Sequence, residues 1–106
     1  MATLRGLHPT LRAGIARLQR VARANGIRVR LTSGRRSRRV QWRLYRHYLM
    51  GLSAYPAAVP GTSKHERGLA VDLTASPESL EALGALWESW GGTWGGRFDD
   101  PIHFEI

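Results

Sequence analysis

A carboxylate in the middle of an otherwise apolar strand is hard to place in any fold, and Leu69-Ala70-Val71-Asp72-Leu73-Thr74 carries one. Burying an ionised side chain without a partner is costly, so the fold must bring compensating groups to Asp72. Ser63-Lys64-His65-Glu66-Arg67-Gly68 places an imidazole shortly before it, and Gly68 lets the chain turn tightly onto the strand. A second imidazole lies in the closing stretch Asp99-Asp100-Pro101-Ile102-His103-Phe104-Glu105. Alternation there puts His103 and Glu105 on one face of a final strand and Phe104 on the other. If the two strands lie side by side, His65, Asp72 and His103 can converge on one divalent ion. A catalytic zinc site typically has three protein ligands and one position open to water. Asp100 is then left to carry a proton.

Each of these residues has a plainer reading on its own: His65 as a loop histidine, Asp72 as a turn or cap residue, His103 as a packed strand residue. Spacing alone leaves both readings open. The chain has no cysteine, which removes disulfides and thiolate metal sites. Any transition metal must be held by nitrogen and oxygen, a donor set that suits zinc among other divalent ions. His8 and His47 have no partner at ligand spacing and are expected as surface or half-buried side chains.

Helical spacing of Leu11, Ile15, Leu18 and either Val21 or Ala22 predicts an amphipathic helix over 9–24, with Pro9 in its first turn and Asn25-Gly26 as its stop. Ile27 to Thr32 alternates with period two and predicts a half-buried strand. Ser33-Gly34-Arg35-Arg36-Ser37 is a turn, and a second helix over 38–52 carries Val40, Leu44, Tyr48 and Leu52 along one side. Residues 53–64 read as loop. Ser76-Pro77-Glu78 starts a third helix, which ends at Gly91-Gly92. Thr93-Trp94, a glycine turn at Gly95-Gly96 and a strand at 102–106 close the chain. The expectation is one α+β domain over 1–106, a small antiparallel sheet packed with helices, with parallel pairing as the lesser option.

Charge is divided sharply. Residues 1–65 carry thirteen arginines and Lys64 with no acid, whereas residues 66–106 carry Arg67 and Arg97 against all eight acids, for a net +8. Such a surface attracts polyanions: nucleic acid, an anionic membrane or an acidic wall polymer. No apolar run approaches the roughly 20 residues that span a bilayer. Residues 1–19 lack a signal-peptide core.

Ser63-x-His65-x-x-Gly68-x-Ala70-x-Asp72 resembles the first signature of the LAS-type zinc peptidases, the M15-like family of D-Ala-D-Ala carboxypeptidases and dipeptidases and phage L-alanyl-D-glutamate endolysins. Asp100-Pro101-Ile102-His103-Phe104-Glu105 is similar to the family's second signature, an acid three positions before the last histidine ligand. Ser33-Gly34-Arg35-Arg36-Ser37, with Gln41 beyond it, resembles its S-G-x-R-S segment, and Trp94-Gly95-Gly96 resembles the endolysin branch. The resemblance covers about residues 30–106. It implies a LAS/hedgehog-like fold with one Zn2+ on His65, Asp72 and His103. It also implies Asp100 as general base and acid, and Arg36 as a catalytic contact to substrate or transition state. Two departures stand out. The stretch between the signatures is short, which implies an open cleft. The usual proline just before the histidine is displaced to Pro101, which leaves Asp99 as a weaker candidate for the base.

The function implied is hydrolysis of an amide bond in the peptidoglycan stem, foremost as an L-alanyl-D-glutamate endopeptidase. A D-Ala-D-Ala carboxypeptidase is one alternative, and a non-catalytic basic module for wall polymer or nucleic acid is another. Ser63 is expected either to orient substrate or to cap its loop, Glu105 to orient a ligand or form a salt bridge, and Trp94 to pack in the core, with a place lining the cleft as its alternative. Arg35 replaces Arg36 if the turn faces the other way. The arginine-rich half is expected to hold anionic wall polymer, with nucleic acid the less favoured partner, and the protein is expected to be a monomer. With no signal peptide or cysteine, the expectation is a phage lysin made in the host cytoplasm and released to the wall, or else carried in a virion.

Overall fold

A computed structural model describes residues 2–106. Helix α1 (Pro9–Ala24), strand β1 (Arg30–Ser33) and helix α2 (Arg38–Leu49) lead to a 3-10 turn (Lys64–Arg67). Strand β2 (Ala70–Thr74), helix α3 (Pro77–Ser89), strand β3 (Thr93–Trp94), a second 3-10 turn (Gly95–Phe98) and strand β4 (His103–Glu105) follow. The sheet order is β1-β2-β4-β3 and every pairing is antiparallel. This is the α+β arrangement expected from the sequence.

Helix α1 buries Leu11, Ile15, Leu18 and Ala22, which resolves the choice between Val21 and Ala22. Full burial of each Leu or Ile contributes roughly 1.5–3 kcal/mol. The His8 ring accepts from Thr10 N–H at the start of α1, so this histidine is a cap. Helix α3 brings Leu80, Leu83 and Trp87 into the same core, where they meet Val71, Leu73 and Phe104 from the sheet. Trp94 packs there too, as expected. Gly84 is where α3 crosses Trp94: a Cβ at that position would collide with the indole ring.

Two boundaries differ from the sequence expectation. Residues 27–29 precede β1 rather than belong to it, because β2 ends at Thr74, opposite Arg30, and leaves them no strand to pair with. Helix α2 stops at Leu49 instead of running to 52. Gly51 takes φ +74, its N–H donates to Tyr48, and Leu52 N–H reaches back to the His47 carbonyl. That is a Schellman stop, and it leaves Leu52 exposed rather than on the packed side. Gln41 is the fully buried residue of α2.

The register places the site. Val71 lies opposite Phe104 and both enter the core, while Asp72 lies opposite His103 on the other face. The polar alternates of two neighbouring strands are thereby stacked side by side, away from the helices α1 and α3.

Candidate active site

His65 reaches this face from the 3-10 turn ahead of β2. Ser63 Oγ accepts from His65 N–H at 3.2 Å, and Gly68 ends the turn at φ +71, pressed against the Gly6 carbonyl where no Cβ fits. Of the two tasks open to Ser63, capping is the one visible in its contacts, although the residue also lines the cleft.

The donor atoms of His65, Asp72 and His103 lie within 4.8 Å of one another. His65 Nε2 is 3.2 Å from Asp72 Oδ1, and His103 Nδ1 is 3.6 Å from the same oxygen. The opposite ring nitrogens are both occupied. His65 Nδ1 lies 3.0 Å from the Gly34 carbonyl, which can only accept, so this nitrogen carries the proton. His103 Nε2 lies 2.8 Å from Glu105 Oε1, whose other oxygen meets Lys64 Nζ at 2.6 Å. Each ring thus turns a lone pair towards Asp72. Three electron pairs facing one another repel unless a cation lies among them, so the donor set fits a divalent metal. Outer partners of this kind fix the ring orientation of metal-binding histidines.

With protons in place of that cation, burial still raises Asp72, but hydrogen bonds from His103 and His65 and the charges of His65 and Arg36 hold it far below the usual carboxylate range. Burial alone would lower His103, yet the bonds to Asp72 and Glu105 raise it. Glu105 is lowered: its own burial is outweighed by Lys64 and His103.

Arg36 is held on three sides. Its Nε donates to Ser33 Oγ at 2.8 Å, one terminal nitrogen to Gln41 Oε1 at 3.2 Å, and the other to Asp72 Oδ2 at 2.6 Å. Arg35, by contrast, is exposed and lies outside the cleft. Arg36 therefore orients Asp72 directly, and its removal takes from a buried carboxylate its one permanently charged partner. Breaking such a pair typically costs about 3–5 kcal/mol. Arg36→Ala should show that loss as a lowered Tm of the chelator-treated protein. Arg36→Lys should recover only part of it, because the donors of an ammonium radiate from one nitrogen and cannot span the acceptors that three guanidinium nitrogens reach.

Asp100 follows the second 3-10 turn. Its N–H donates to the Gly95 carbonyl and its own carbonyl accepts from His103 N–H, and a Cβ at Gly95 would strike the Asp100 carbonyl. Asp100 Oδ2 lies 4.0 Å from His103 Nδ1, and Oδ1 is buried with no hydrogen-bond partner among the described residues. Burial and the Asp72 charge push this carboxyl upward against the pull of His103, His65 and Arg36. Asp99 is exposed in a left-handed turn and lies off the cleft. His47 is exposed on α2, far from ligand geometry.

These residues floor an open cleft of about 550 Å3 whose walls include Leu44, Tyr48, Tyr55 and Phe98. A larger depression of about 730 Å3 between the end of α1, β1 and the start of α3 contains no imidazole or carboxylate. Sequence reasoning left three contributors without a role. Gln41 joins Arg36 to the Ala58 carbonyl, Lys64 anchors Glu105, and the Gly34 carbonyl sets His65. A polar residue on the inner face of an amphipathic helix was the available signal for Gln41; a backbone carbonyl leaves none.

Residues 5–93 match the family model described as VanY, D-alanyl-D-alanine carboxypeptidase. That span contains His65 and Asp72 but stops before Asp100 and His103. No curated protein matches the chain. Among solved structures, a VanY D,D-pentapeptidase variant from a VanB-type resistance cassette, in complex with Zn(II), superposes with TM-score 0.72 at 21% identity, over 100% of this chain and 76% of that one. The LD-carboxypeptidase LdcB gives 0.75 at 23%, over 96% and 66%. The L-Ala D-Glu endopeptidase ChiX of Serratia marcescens gives 0.64 at 27%, over 97% and 82%.

Proposed function

We propose a function from one premise, that the chain belongs to the VanY D-alanyl-D-alanine carboxypeptidase family: it is a zinc-dependent peptidase that cuts an amide bond in the stem peptide of peptidoglycan. The observation that carries the reading is the convergence of His65 Nε2, Asp72 Oδ1 and His103 Nδ1 beside the Asp100 carboxyl in an open cleft. The VanY structure solved with Zn(II) supports the choice of metal.

His65, Asp72 and His103 would hold the ion. When bound, zinc lowers the pKa of water towards neutrality and polarises a carbonyl. Asp100 would take the proton from the attacking water as the new C–O bond forms, and pass it to the amine nitrogen as the amide C–N bond then breaks. Its Oδ2 stands nearest the donor atoms, 4.0 Å from His103 Nδ1, and burial together with the Asp72 charge already favours the protonated form of this carboxyl. Arg36 keeps Asp72 in place, and its positive charge favours the oxyanion that develops on the carbonyl oxygen.

Within this class we favour an endopeptidase of the L-alanyl-D-glutamate kind. A carboxypeptidase needs a group for the free terminal carboxylate of its substrate. The two cations lining the cleft, Arg36 and Lys64, are already paired with Asp72 and Glu105. The carboxypeptidase reading draws its support from the family's own description. Mass spectrometry of digested peptidoglycan separates the two. Stem peptides beginning at D-Glu are expected, and free D-Ala instead would overturn the endopeptidase assignment.

A further inference from the structure

The large apolar side chains left exposed are concentrated in one region. Apart from Phe98, all lie between residues 42 and 59, and Tyr48, Tyr55 and Phe98 among them line the cleft. Apart from Val59 in the following loop, that leaves a group on the outer side of α2 and its C-terminal turn without a role in the core or in the site. Trp42 is 50% exposed, Leu49 63%, Met50 68% and Leu52 67%. Trp42 and Leu49 are two helical turns apart and share a face. Met50 and Leu52 continue the patch beyond the helix end, where the Schellman stop turns Leu52 outward.

The same surface is cationic. Arg39, Arg43 and Arg46 border Trp42, Met50 and Leu52, and none of the three has an acidic partner among the described residues. Helix α2 contains no acid at all. Helix α1 offers a contrast, since its outer face carries Arg12, Arg17, Arg20 and Arg23 but no large exposed apolar side chain. Repulsion between arginines disfavours a second copy of this chain as the cover for α2. A hydrated polyanion such as duplex nucleic acid or polyphosphate would meet the charge and leave the Trp, Leu and Met side chains in water. A surface that is both negative and apolar a few ångströms down answers both features, and an amphipathic helix with arginine on one side and Trp and Leu on the other is suited to lie in it.

We infer that the outer face of α2 is a docking surface for an anionic phospholipid bilayer, with Trp42, Leu49, Met50 and Leu52 entering the headgroup boundary and Arg39, Arg43 and Arg46 meeting lipid phosphates. Gln41, Leu44 and Tyr48 face the cleft from another side of the helix, about 100° round from Trp42 and Leu49. The surface does not depend on the peptidase reading.

Co-sedimentation of the full chain with vesicles tests it. Vesicles of phosphatidylglycerol and phosphatidylcholine should bind at least tenfold more protein than vesicles of phosphatidylcholine alone. Trp42→Ser/Leu49→Ser, both exposed positions that leave the core intact, should lose at least tenfold in that binding while retaining their circular dichroism and their binding to inorganic polyphosphate. Arg43→Gln/Arg46→Gln should lose binding to both. Undiminished vesicle binding by Trp42→Ser/Leu49→Ser would overturn the inference and leave a polyanion-binding surface. So would equal binding to both vesicle types, or concentration-dependent dimerisation that the same serine pair abolishes.

Discussion

Asp100→Asn should retain a full complement of zinc and lose about 10²–10⁴-fold in kcat, the range typical of a lost general acid–base. The asparagine side chain keeps the shape but can neither take a proton from water nor return one to the amine. Asp100 is not among the three converging donors: its nearer oxygen stands 4.0 Å from His103 Nδ1, and its other oxygen has no partner. Metal content and turnover should therefore separate in this variant. The neighbouring Asp99→Asn is the control, since Asp99 is exposed and lies off the cleft, and it should stay near wild-type turnover. A large loss at Asp99 with none at Asp100 would move the base by one residue.

His103→Ala should behave differently, losing zinc and turnover together. His103 is the cross-strand partner of Asp72 in the β2–β4 register, and no other imidazole is near enough to replace it, because His8 caps α1 and His47 is exposed on α2. With one of three donors gone, two ligands cannot hold the ion against a competing chelator. Turnover should drop to background and added zinc should not restore it. The core should survive, because Phe104 and Val71 occupy the opposite face. Circular dichroism close to that of the chelator-treated wild type would show that the loss is local.

The site was legible where local chemistry announces it. A charged residue inside an apolar strand, a histidine before a turn glycine and a histidine in an alternating closing strand all have one-dimensional signatures, and the sheet brings all three together. Helices α1 and α3 were legible for a similar reason: Pro9 and Asn25-Gly26 mark one, and Ser76-Pro77 and Gly91 the other. What was hidden depends on partners distant in sequence. The start of β1 is set by where β2 ends, so residues 27–29 alternate like a strand without pairing as one. The end of α2 is set by Gly51, which outweighs the apolar repeat running on to Leu52. The role of Arg36 as the clamp on Asp72, the Lys64–Glu105 pair behind His103, and the Gly34 carbonyl behind His65 are contacts across the fold, with no spacing that reveals them.

The resemblance to LAS-type peptidases, drawn from two signatures, agrees with the VanY family match and with the shared fold of carboxypeptidase and endopeptidase structures. One chemistry can serve both specificities, because the ion and the proton carrier act on whichever carbonyl is presented. Choice of bond then rests on what grips the flanking residues of the stem peptide, and in this chain the cleft cations are already occupied.

The most direct measurement of the whole account is a zinc titration of the chelator-stripped wild-type protein, followed by release of stem peptides from purified peptidoglycan. No release is expected at zero zinc, and recovery should be complete at one equivalent per chain. Undiminished release by the stripped protein would contradict the account.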